Sequence, residues 1–135
     1  MTNTILIVDD EPHMLRITEL SLKKAGFNLL IARSGNEALQ LARQHLPALI
    51  VMDVVMPDLD GISALKELKA TPATAKIPVI MLTSRGQNVT RVDAEGSGAA
   101  LYLTKPFSPS ALAAEARRII EAAAAAEPNP PAASA

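Results

Sequence analysis

The 135-residue chain contains no cysteine, which excludes disulfides and thiolate metal sites. It has no tryptophan, and its aromatic residues are Phe27, Tyr102 and Phe107, so any core must be aliphatic. There is no basic run and the formal net charge is −1, so nucleic acid is not an expected partner of this segment. No apolar run approaches the length of a membrane span. The opening Met1-Thr2-Asn3-Thr4 lacks the basic, apolar and cleavage regions of a signal peptide. The expectation is a soluble cytoplasmic protein with no membrane partner. Neither a G-x-G-x-x-G motif after the first apolar run nor a P-loop is present, so dinucleotide and P-loop nucleotide chemistry have no support.

What is present is an alternation. The length suits one domain, able to bury roughly two thirds of its unfolded surface. Ile5 to Val8 is an apolar run ending in Asp9-Asp10 and reads as strand one. Glu11-Pro12 opens a helix, with proline in the first turn, where its missing N–H does no harm. Met14, Leu15, Ile17, Leu20 and Leu22 give that helix a broad apolar face, and Gly26 stops it. Phe27 to Ala32 reads as strand two. Ser34-Gly35-Asn36-Glu37 is a capping box for a second helix running to about His45. Leu49 to Met52 runs into Asp53, and such a run followed by a proline reads as a strand buried on both faces of a parallel sheet.

Asp60-Gly61 starts a third helix with Ile62, Leu65 and Leu68 on one face. Val79 to Leu82 is strand four, ending in Thr83-Ser84. Residues 86 to 95 read as a weak, polar fourth helix closed by Gly96 and Gly98. Ala100 to Leu103 is strand five, ending in Thr104-Lys105-Pro106. Ser108-Pro109 caps and starts a fifth helix, with Leu112, Ala116, Ile119 and Ile120 on one side. From Ala122 the sequence degenerates into alanine and proline, which reads as a frayed helix end and a flexible tail over 122–135, leaving 1–121 as the domain. The fold class is α/β: a doubly wound (βα)5 flavodoxin-like sandwich with a five-stranded parallel sheet of order 2-1-3-4-5.

The polar residues at strand ends then gather on one edge of the sheet: Asp9 and Asp10, Asp53, Thr83 and Lys105. Strands one and three are neighbours at the topological switch point, which crowds three carboxylates together. Repulsion between such charges at about 4 Å is on the order of 1–4 kcal/mol at wet dielectrics, and a hard divalent cation relieves it. Mg2+ suits an all-oxygen site of one or two carboxylates, waters and a phosphate oxygen. With the Lys105 cation and the Thr83 hydroxyl added, the set makes a phosphoryl acceptor site.

The pieces Val8-Asp9-Asp10-Glu11-Pro12, Met52-Asp53-Val54-Val55-Met56-Pro57 with Asp60-Gly61, Met81-Leu82-Thr83-Ser84 and Tyr102-Leu103-Thr104-Lys105-Pro106-Phe107, taken in this order, resemble the receiver (CheY-like) domain of two-component response regulators. The likeness spans residue 3 to about 121. It implies that Asp53 is phosphorylated by a histidine kinase or a histidine phosphotransfer protein. It implies direct Mg2+ ligation by Asp10, Asp53 and the main-chain carbonyl of Val55, with Asp9 in the same pocket through water. Thr83 and Lys105 match residues that contact the phosphoryl group, and Tyr102 matches an aromatic that swings inward on activation, coupled to Thr83. Pro106 matches the proline of a cis Lys-Pro bond that aims the lysine. Val54, Val55 and Arg85 fall at pocket-flanking positions that vary within the family. Ala100 and Leu101 depart from the acidic or glycine residues common there. His13 and His45 read as solvated helix residues.

Each residue also has a plainer role: Asp9-Asp10 as caps of the first helix, Thr83 as the cap of the fourth, Lys105 as a surface lysine, Tyr102 as sheet packing. Two other classes of function fit parts of the pattern. A haloacid-dehalogenase-type phosphohydrolase also uses an aspartyl phosphate, but it carries a D-x-D pair on strand one where this chain has adjacent Asp9-Asp10. It also usually needs a cap, for which no insertion here is long enough. A transcription regulator needs a DNA-binding domain, and this segment has no basic helix. The expected function is a phosphorylation-dependent switch rather than a turnover enzyme. Its output is the face of predicted helix four, strand five and predicted helix five, read by a downstream protein. The segment is a stand-alone receiver, a phosphorelay shuttle or the receiver end of a longer protein.

Overall fold

In a computed structural model of the chain, described for residues 3–54, 60–84, 98–105 and 107–125, five strands form one sheet: β1 (Thr4–Val8), β2 (Asn28–Ala32), β3 (Leu49–Asp53), β4 (Val79–Ser84) and β5 (Leu101–Lys105). Every pairing is parallel, as the alternation of elements predicts, and the order β2-β1-β3-β4-β5 is the flavodoxin-like one expected. β1 and β3 are almost wholly buried, which is why they read as continuous apolar runs rather than as alternation. The helices described are α1 (Pro12–Lys24), α2 (Gly35–His45), α3 (Gly61–Ala70) and α4 (Pro109–Ala125). The helix expected over 86–95 lies outside the described residues.

Alternation along the strands divides the core in two. Leu6, Val8, Ile50, Met52, Val54 and Met81 pack with α2 and α3. Ile5, Ile7, Leu49, Val51, Ile80 and Leu82 pack with α1 and α4. The buried residues of both layers are aliphatic, as expected from the scarcity of aromatics, except Phe27 in the α1/α4 layer.

Several boundaries differ from the sequence reading. β2 begins at Asn28 because the Phe27 N–H is taken by Leu22 O at 3.2 Å, while Gly26 N–H donates to Lys23 O at 3.0 Å. Those two bonds are a Schellman closure of α1, with Gly26 at φ +99° supplying the left-handed residue. β4 and β5 run two residues further than their apolar stretches, pairing Thr83 with Thr104 and Ser84 with Lys105. The ladder is built from backbone groups, so it continues past the point where burial, and therefore hydrophobicity, stops. Thr83 thus belongs to β4.

In α1 the buried stripe is narrower than the broad face expected: Leu15, Thr18 and Leu22 are buried and Leu20 is 61% exposed. Leu20 lies about 200° round the helix from Thr18. α4 continues to Ala125, past the position where the tail was expected, because alanine is the best helix former.

The caps are mostly as read. Ser34 Oγ accepts from Glu37 N at 3.1 Å, and Glu37 Oε1 accepts from Arg33 N. The reciprocal arm of the box therefore lands one residue earlier than the usual pattern. Asp60 caps α3 through Ser63 N at 2.9 Å, and Ala111 N reaches Ser108 Oγ at 3.4 Å. On the far side, Arg117 Nη2 donates to Ala25 O at 2.7 Å and its guanidinium lies 5.8 Å from the Phe27 ring centroid, tying α4 to the end of α1.

Candidate functional site

β1 and β3 are neighbours, so the residues that follow their apolar runs emerge together. Asp9, Asp10 and Asp53 each offer a carboxylate oxygen, and those oxygens lie within 4.8 Å of one another. Asp53 and Asp9 are buried, with 6% and 2% of their surface exposed, whereas Asp10 is exposed. The site therefore has two carboxylates set into the sheet mouth and one at its rim. Asp9 also acts locally, since its Oδ1 accepts from Glu11 N at 3.0 Å. Glu11 is the N-cap of α1 and makes no side-chain cap bond, so Asp9 fixes the turn into the helix while facing the cluster.

The backbone beneath Asp53 is tied from two directions. Val54 N donates to Leu82 O at 3.0 Å, extending the β3–β4 ladder past the aspartate, and Val54 O accepts from Gly61 N at 2.7 Å. Gly61 is packed so closely that a Cβ there would overlap Asp53 O, with Met81 Cε at 2.8 Å and Val54 Cα at 2.9 Å. The sequence marks Gly61 only as a helix start. Its signal is the Asp-Gly pair, in which Asp60 caps α3 and the glycine lets the helix approach the strand end.

Asp60 is held below the usual carboxylate value of 3.8 chiefly by the Ser63 backbone N–H. At the other end of α3, Lys69 donates to Ala75 O at 3.1 Å and Ile77 O at 2.8 Å. Its burial lowers its pKa. Together with buried Thr74, whose Oγ1 donates to Leu68 O at 2.7 Å, it pins the loop between α3 and β4.

The other predicted residues occupy the β4–β5 end of the same edge. Thr83 is half-buried and its Oγ1 lies 3.5 Å from Thr104 Oγ1. Tyr102 is half-buried and packs against the α2/α3 layer. Lys105 closes β5, its backbone opposite Ser84. Val54 is 7% exposed and faces the α2/α3 layer. Val55, Arg85 and Pro106 lie outside the described residues. The structure thus brings Asp9, Asp10 and Asp53 together and places Thr83, Tyr102 and Lys105 on the two strands beyond them. Among the described residues no helix is long and apolar enough to cross a membrane.

The donor set fits a hard dication: all the ligands are oxygens, they are close-packed, and two of them are sunk where water alone screens them poorly. What such a cluster can do depends on what sits in it, and comparison with known proteins bears on that. Residues 5–117 match the model of the response regulator receiver domain family. The chain is 40% identical over 109 residues to the transcriptional regulatory protein SrrA of Staphylococcus aureus, covering 81% of this chain and 44% of that protein. It spans about half the length of the curated relatives it matches. Among solved structures it is similar to the signal receiver domain of a signal transduction histidine kinase from Syntrophus aciditrophicus, with a TM-score of 0.85 and 31% identity. That likeness covers 94% of this chain and 96% of the other. It is also similar to the receiver domain of the sensor histidine kinase PA1611 from Pseudomonas aeruginosa, with a TM-score of 0.82 and 30% identity, over 90% of this chain and 99% of the other. That structure is described with a magnesium ion coordinated in its active site cleft.

Proposed function

Because this chain belongs to the response regulator receiver domain family of two-component signalling, we propose that it is a phosphorylation-dependent switch whose phosphoryl acceptor is Asp53. The observation that carries this reading is the cluster of Asp9, Asp10 and Asp53 carboxylates, all within 4.8 Å, with Asp53 on the central strand. A carboxylate oxygen of Asp53 attacks the phosphorus of a phosphohistidine on a histidine kinase or phosphotransfer protein. The P–N bond breaks, the histidine nitrogen keeps the electron pair and takes a proton, and an acyl phosphate is left on Asp53. Asp10, Asp53 and the Val55 carbonyl would hold Mg2+ directly, with Asp9 holding it through water. When bound, that ion neutralises charge on the transferred group. Lys105 and Thr83 supply a cation and a hydroxyl to the phosphoryl oxygens.

The phosphoryl group carries roughly −1.5 to −2 charge where the carboxylate carried a single one, so a site already acidic gains up to about one more negative charge. Donors on β4 and β5 are then drawn toward it, and Tyr102 follows into the space that Thr83 leaves. This biases a two-state equilibrium, read by a downstream protein on a face that includes β5 and α4, the helix expected over 86–95 lying outside the described residues. The segment turns over no substrate of its own beyond accepting the group and slowly losing it, and it works in the cytoplasm. With Mg2+ and acetyl phosphate, mass spectrometry should find one phosphoryl group, on Asp53. Asp53→Asn should carry none, because an amide oxygen is a poor nucleophile of nearly the same shape. Undiminished modification of the variant, or sustained hydrolysis of a generic phosphate monoester by the parent, would overturn the reading.

A further inference from the structure

Thr83 and Thr104 are direct partners in the β4–β5 ladder, and registered residues of neighbouring strands present their side chains on the same face. Two residues earlier the same face carries Met81 and its partner Tyr102, both packed in the α2/α3 layer. Thr104 is therefore beside Thr83 and one pleat closer to the site edge than Tyr102. β4 lies between β3 and β5. A Thr83 hydroxyl engaged with Thr104, on β5, is turned away from β3 and so from Asp53.

The geometry points to Thr104 as a positioning residue: in the resting protein it holds the Thr83 hydroxyl away from Asp53, and so sets how readily an anion on Asp53 draws that hydroxyl across. This rests on Asp53 being the acceptor. The hold is weak by construction. The oxygens are 3.5 Å apart, past the roughly 2.5–3.0 Å of a well-formed O–H···O bond, and Thr104 is exposed, so water competes for both hydroxyls. A weak hold suits a switch, since a strong one would keep Thr83 from responding.

Titration of the protein with beryllofluoride, a phosphoryl mimic, in the presence of Mg2+ reads the bias. Thr104→Val keeps shape and loses the hydroxyl, and it should tighten apparent affinity by about two- to fivefold, the range of one weak hydrogen bond. Thr104→Ser keeps the hydroxyl and should bind as the parent does. In a Thr83→Ala background, Thr104→Val should change nothing. A second readout needs neither Mg2+ nor the mimic: three-bond NMR couplings to Thr83 Cγ2 report its χ1, and Thr104→Val should redistribute that rotamer while Thr104→Ser should not. Parent-like affinity and rotamer in Thr104→Val would overturn the proposal. So would an affinity gain of the same size with and without Thr83, because the residue would then act through packing. A parent that takes up no beryllofluoride at Asp53 overturns the acceptor reading itself, and the ligand-free rotamer measurement tells that failure from loss of the Thr83–Thr104 contact.

Discussion

At the β1–β3 end of the sheet edge, Asp53 is buried, the residue after it is bonded to both β4 and α3, and Gly61 leaves no room for the backbone to shift. At the β4–β5 end, Thr83 is half-buried, Thr104 is exposed, and a long hydroxyl contact joins their side chains. The two ends also face opposite layers. Asp53 shares the face of Leu49 and Val51 toward α1 and α4, whereas Thr83 and Thr104 share the face of Met81 and Tyr102 toward α2 and α3. The contrast teaches how a small sheet can separate two demands. A nucleophile needs fixed geometry, since misplacement by about 1 Å can cost a factor of 10². A responder needs two arrangements close in energy. On the proposed function, the first is built where the backbone is tied to both β4 and α3 and the second where the ladder outruns its core.

The largest way to break this contrast is to loosen the fixed end. Gly61→Ala puts a methyl group against main-chain atoms of Asp53 and Val54, which cannot rotate aside. The expected loss is toward the upper end of the about 1–3 kcal/mol typical of overpacking, read by denaturant unfolding, with slower phosphorylation of Asp53. Parent-like stability and rate would mean that the β3–α3 contact yields easily and that the site is not held as described.

Asp10→Asn should change sign with conditions. Without Mg2+ it removes one of three crowded carboxylates and should raise stability by about 1 kcal/mol, the low end of the repulsion expected at a wet rim. With saturating Mg2+ the variant should be the less stable, because it gains less from the ion, and calorimetric titration should show weakened Mg2+ affinity. An equal stability difference with and without Mg2+ would remove Asp10 from the cation site.

Asp60→Ala tests whether the α3 cap supports the fixed end from outside. Losing the cap should cost about 1 kcal/mol. Asp60 titrates below 3.8 in the folded chain because the Ser63 backbone N–H favours its ionised form. Its contribution is therefore fully present above pH 3.8 and is lost as pH falls through the lower folded value. The stability gap between parent and variant should narrow on acidification through that window, and a gap that widens there would contradict the assignment.

The smallest effect is expected at Leu46, the C-cap of α2, which is non-glycine at φ +47°. Leu46→Gly relieves a left-handed conformation that costs an ordinary residue about 1–2 kcal/mol. Part of that gain is offset by glycine's extra unfolded-state entropy, on the order of 0.5–1 kcal/mol. Melting temperature should rise slightly while phosphorylation and the Thr83 rotamer stay as in the parent. A change in either would mean that the two ends of the sheet edge respond to global stability rather than to local geometry.

A parallel sheet with Asp9, Asp10 and Asp53 at one edge follows from sequence alone. Runs such as Ile5–Val8 and Leu49–Met52 are apolar because both faces of a parallel strand are buried, and a parallel sheet sends all its strand ends to one edge. Burial writes itself into composition, so the buried parts were legible. The features that only tertiary structure decided are those that composition does not record. The extension of β4 and β5 through Thr83-Ser84 and Thr104-Lys105 depends on backbone pairing with a neighbour distant in sequence. The buried stripe of α1 is narrowed to Leu15, Thr18 and Leu22 by how the helix rolls on the sheet, leaving Leu20 outside. The closeness of Gly61 to Asp53, and the meeting of two threonine hydroxyls across strands, arise where separate segments touch. A glycine or a threonine reads the same in sequence whether or not another segment lies against it.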